Sequence, residues 1–166
     1  MVAGGQGHVA ESPLSFPTRT SLSTQRRWRH VPHRLLLTAL QAVNARYALG
    51  GDLAMLLFGY DAPGLTVRIV VAPGAANVVA VLDALRVAGY GPVPTEDEAC
   101  GAEATAFSLK RGSSPDMAVL DLRPRVDWAV LSPRVVRRTR AGIALPLIGL
   151  RDLFELEGAL DTARLG

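Results

Sequence analysis

The 166-residue chain has a single cysteine, Cys100. That excludes an intramolecular disulfide and a zinc site built from the cysteines of this chain alone, and beside an acidic stretch Cys100 reads as an ordinary reduced thiol. Long apolar runs are missing too: none reaches the roughly 18–20 residues that a membrane span requires. The start does not follow the basic-then-apolar order of a signal peptide. These absences point to a cytoplasmic protein with no membrane partner. His33 reads as a partly exposed histidine at a helix start rather than a metal ligand.

What is present fits one globular domain. The chain is 49% hydrophobic and 20% charged, enough apolar material for a core and unlike a disordered or fibrous protein. A net charge of +3 invites a nucleic-acid reading, yet residues 1–34 hold five arginines against Glu11. The basic excess therefore belongs to that segment, and the remainder is close to neutral. Residues 1–31 mix Gly, Ser, Thr and Pro without a sustained period and read as a flexible basic extension. Its cluster Arg26, Arg27, Trp28 and Arg29 offers phosphate neutralisation and base stacking; a solvated leader is the plainer reading.

From residue 32 onward the chain reads as one α/β (α+β) domain. Leu35, Leu36, Leu40 and Val43 predict a helix to about Ala45. Tyr47, Ala48 and Leu49 predict a strand, Gly50 and Gly51 a turn, and Asp52 an N-cap for a short apolar helix. A second strand follows over 65–71, with Leu65, Val67, Ile69 and Val71 on one face and Thr66, Arg68 and Val70 on the other. Val78, Val79, Val81, Leu82, Leu85 and Val87 predict a helix closed by Gly89. Residues 91–103 read as an acidic loop. Two strands, 104–110 and 117–122, flank a turn of Gly112, Ser113, Ser114 and Pro115 and predict a hairpin. Ser132 and Pro133 suggest a short helix presenting Arg134, Arg137 and Arg138 together, as a phosphate or RNA patch, a solvated face, or salt bridges to the acidic loop. The chain ends in a strand over 143–148 and a helix with Leu153, Phe154, Leu156 and Leu160 inward.

The arrangement of Gly50–Gly51, Gly59–Tyr60, the strand from Thr66, Gly89–Tyr90 and the closing Gly142, Leu145, Pro146, Leu150, Asp152 and Leu153 resembles the nucleotidyltransferase superfold. It is similar in particular to the small bacterial nucleotidyltransferase-like proteins of abortive-infection and toxin–antitoxin systems, over roughly residues 35–165. The resemblance implies a mixed sheet flanked by helices and a nucleotide site around Gly50, Gly51, Asp52, Thr66 and Arg68. In that family the second strand carries two aspartates, two residues apart, that hold two magnesium ions against a triphosphate. Here those positions are Arg68 and Val70: arginine repels a metal and valine offers it no oxygen. The family's third carboxylate falls on Asp121, with Asp116 as the other choice, and its phosphate-binding lysine on Glu157.

The reading that follows is a catalytically degenerate protein without a cofactor, acting by binding a nucleotide, RNA or a protein partner encoded nearby. Arg68 is expected to meet either Asp121 or a nucleotide phosphate through two parallel hydrogen bonds, with the internal pair preferred. The alternative is an active, magnesium-dependent transferase with a rearranged site of Asp52, Asp61 and Asp121. Against it, Asp52 is accounted for as an N-cap and Asp61 as a turn residue.

Overall fold

The computed structural model describes residues 33–164 apart from 102 and 104, with side chains described to Glu157. The expected extension over 1–31 and the inward Leu160 lie outside the described residues and side chains.

Along the chain come α1 (Arg34–Ala42), β1 (Tyr47–Gly50), α2 (Gly51–Leu57), β2 (Thr66–Val71), α3 (Ala75–Val87), β3 (Tyr90–Gly91) and α4 (Glu96–Cys100). The hairpin β4 (Ala106–Arg111) and β5 (Met117–Asp121) follows, then α5 (Trp128–Leu131), a 3-10 turn (Ser132–Arg134), β6 (Val136–Arg140), β7 (Ile143–Leu147) and α6 (Leu150–Arg164). The strands form one seven-stranded sheet in the order β3-β4-β5-β2-β1-β7-β6. It is mixed: β1 runs antiparallel to β2 but parallel to β7, and β2 runs parallel to β5. Among the described residues no helix is long and apolar enough to cross a membrane.

β2 is buried along nearly its whole length, which explains why Thr66–Val71 reads as an apolar run rather than a clean alternation. Arg68 interrupts that run, and its side chain is among the few buried charges. On α1 the inward residues are Leu36, Leu37 and Leu40, while Leu35 is 58% exposed and Val43 42% exposed. With about 100° of turn per residue, a stripe centred on Leu40 takes Leu36 and Leu37 but turns Leu35 away, and Val43 lies beyond the last helical turn. In α3, Val87 is likewise exposed at the C-terminal end, while Val78, Val81, Leu82 and Leu85 join the core.

Three other expectations need correction. The acidic stretch contains α4, started by a capping box: Thr95 Oγ1 accepts from Glu98 N at 3.2 Å, and Glu98 Oε2 accepts from Thr95 N at 3.0 Å. The arginine-rich stretch does not place Arg134, Arg137 and Arg138 on one helix, because the helical turns stop at Arg134 and β6 begins at Val136. His33 is buried: it precedes α1 in the left-handed conformation (φ 60°), hydrogen-bonds Tyr90 through Nδ1, and stacks on that ring at 5.9 Å.

Candidate functional site

Gly51 sets the geometry of the β1–α2 junction. Its φ of +75° is one that a side chain rarely adopts, and a Cβ there would lie 2.6 Å from the Thr66 carbonyl oxygen. Only glycine lets the β1–α2 junction press against the start of β2. Asp52 braces the same contact, accepting from Thr66 N at 2.6 Å and Leu65 N at 3.3 Å. Its role is therefore not to cap α2, whose N-cap is Gly50 with no side-chain cap, but to tie the start of β2 to the helix. Burial raises the Asp52 carboxyl above its ordinary value, and the backbone N–H donors oppose that shift.

Ladder registers bring the charged residues together. Arg68 stands opposite Gly50 on β1 and Val119 on β5, and Asp121 stands opposite Val70. Arg68 and Asp121 thus project to one face of adjacent parallel strands, two residues apart in register. Arg68 Nη1 donates to Asp121 Oδ2 at 2.8 Å, with both side chains 7% exposed. The contact is a single hydrogen bond, not the expected parallel pair, because the guanidinium is shared: its Nε faces Glu157 Oε1 on α6 at 3.4 Å. That Nε is buried and makes no hydrogen bond. The same Oε1 accepts from Gly51 N at 2.9 Å. Burial raises the Asp121 carboxyl above its ordinary value while Arg68 pulls it down.

The anticipated nucleotide-site residues Gly50, Gly51, Asp52, Thr66 and Arg68 do gather at one junction, with Asp121 beside them. Their polar groups are engaged within the chain: Gly51 N by Glu157, Thr66 N by Asp52, and Arg68 by Asp121 and Glu157. Asp116 belongs elsewhere, 3.6 Å from Arg111. Asp61 is exposed, and among the described residues no three of His, Cys, Asp and Glu converge to hold a metal ion, so Asp52, Asp61 and Asp121 do not form such a set.

The chain matches no protein-family model, no curated protein and no solved structure.

The arginines after β5 disperse. Arg134 pairs with the buried Asp152 at 3.0 Å, and Arg138 lies 5.1 Å over the Phe58 ring while donating to the Leu57 carbonyl at 3.1 Å. Those contacts, rather than salt bridges to the acidic stretch, account for two of the three. Glu157 is the residue whose role sequence reasoning missed. Its position four residues after Leu153, on a helix whose apolar face docks by Leu153 and Leu156, was the available signal for a side chain reaching the sheet.

Proposed function

We propose that this protein is a nucleotidyltransferase-like chain in which binding has replaced metal-dependent transfer. The observation that carries the reading is the 2.8 Å contact between Arg68 and Asp121. A guanidinium occupies the space beside the one carboxylate that matches the family's set, so a magnesium ion there would meet a fixed positive charge and, at Val70, no oxygen ligand. The donor set does not suit the metal. Glu157 supports the same reading, because a carboxylate stands where the family's lysine would attract phosphate. Work is therefore done through recognition of a nucleotide, an RNA or a protein partner, in a chain that resembles the nucleotidyltransferase-like proteins of toxin–antitoxin and abortive-infection systems.

The test is incubation of the purified protein with each of the four radiolabelled nucleoside triphosphates, magnesium or manganese, and protein and RNA acceptors. No labelling is expected. Metal-dependent labelling that disappears in Asp121→Asn would overturn the proposal.

A further inference from the structure

A recess lies apart from the Arg68–Asp121 pair, between the C-terminal end of α1, the start of β1, the α5 turn and the β6–β7 hairpin. Its volume is about 490 Å³, within the range of small-molecule sites. Trp128 and Tyr47 supply ring surface, Arg46 and Arg137 supply positive charge, and Gln41 and Asn44 add neutral polar groups. No carboxylate lines it. Arg68, Arg86, Arg111 and Arg134 each have an acidic partner, and Arg46 and Arg137 are not among them. Among the described residues, no hydrogen bond or ion pair engages the guanidinium of Arg46 or Arg137.

The walls are held in place without a ligand. The Arg46 backbone is clamped by Asn77, which accepts from Arg46 N at 2.7 Å and donates to Arg46 O at 2.9 Å. Arg137 is fixed in register opposite Pro146, and Trp128 opens α5. The Tyr47 hydroxyl is pushed up to about 12 by burial, against the pull of Arg137, and so stays a neutral hydrogen-bond donor.

We propose that this recess binds a small organic anion bearing a planar ring, with the ring against Trp128 and the anionic group between Arg46 and Arg137. A guanidinium binds phosphate or carboxylate through charge-assisted hydrogen bonds, and an indole face accepts any flat ring. A nucleoside monophosphate and an aromatic carboxylate share that chemistry. The inference does not depend on the nucleotidyltransferase reading, since none of Gly50, Gly51, Asp52, Thr66, Arg68 and Asp121 lines the recess.

The chain has two tryptophans, so Trp28→Phe leaves Trp128 as the only fluorescent indole. This variant is titrated with AMP, benzoate, adenosine and inorganic phosphate, following emission and calorimetric heat. Saturable quenching by AMP or benzoate is expected, with adenosine and inorganic phosphate each binding at least about tenfold more weakly. Arg46→Gln and Arg137→Gln, both at exposed positions, should each weaken the better probe by about tenfold or more while leaving the circular dichroism spectrum unchanged. Preference for AMP identifies the phosphate source, and preference for benzoate the carboxylate source. Absence of saturation by both up to about 5 mM, adenosine equal to AMP in a protein indifferent to benzoate, or unchanged binding in both arginine variants would each overturn the proposal.

Discussion

A buried arginine is tolerable only where carboxylates receive it. Arg68 divides its charge between Asp121 and Glu157, and removing it leaves Asp121 as an uncompensated charge within the sheet. Arg68→Met should lower unfolding free energy by about 3–5 kcal/mol, whereas Arg68→Met with Asp121→Leu should recover most of that loss. Urea denaturation of the three proteins decides it, and equal loss in the single and double variants would refute the pairing argument. His33 gives the pH dependence a sign. Burial lowers its pKa below 6.5, so it stays neutral in the fold against the Tyr90 hydroxyl. Its contribution is fully present above 6.5, the unfolded value, and is lost as pH falls through the lowered folded value. Asp52 and Asp121 act in the opposite sense, because their raised folded values make their contribution complete below 3.8 and lost as pH rises through those values. Melting curves at several pH values should therefore show wild type losing stability below 6.5 more steeply than His33→Phe. Parallel curves would remove the histidine from the account.

Among the elements, legibility followed how local the deciding interaction is. The β1–Gly-Gly–α2–β2 unit and the β4–β5 hairpin could be read because turn glycines and apolar runs are contiguous in sequence. The same logic was available for α4, where Thr95 and Glu98 form a capping box with the threonine three residues before the glutamate, but the surrounding acids obscured it. β6 was not legible: VRRTR has no strand alternation, and it becomes a strand because the Gly142 turn folds it onto β7. Strand alternation placed Arg68 on its face and the family resemblance suggested Asp121 as its partner, while the share taken by Glu157 depends on α6 crossing back over the junction. Two substitutions probe that crossing. Gly51→Ala forces a Cβ to within 2.6 Å of the Thr66 oxygen at positive φ and should cost about 1–3 kcal/mol or more. Glu157→Ala strips the partner from Gly51 N and one carboxylate from Arg68 and should cost about 1–3 kcal/mol. Chemical denaturation checks both, and a Gly51→Ala protein as stable as wild type would contradict the described junction.

For the whole molecule, the sheet order matters most. β1 is an interior strand between β2 and β7, and only β2 is its neighbour in sequence. β7 joins it late in the chain, with Ile148 N donating to the Leu49 carbonyl at 2.9 Å. During synthesis β1 therefore has one free edge until β7 is made. Arg68 waits as well, first for Asp121 across 53 residues and then for Glu157. Contacts so distant in sequence close late and slowly, because the loop entropy must be spent before they return anything. A nascent chain stopped before β7 presents Leu49 and Gly50 as an open template for a foreign strand. This protein's exposure to misassembly is thus concentrated in the interval of its translation that separates β1 from β7.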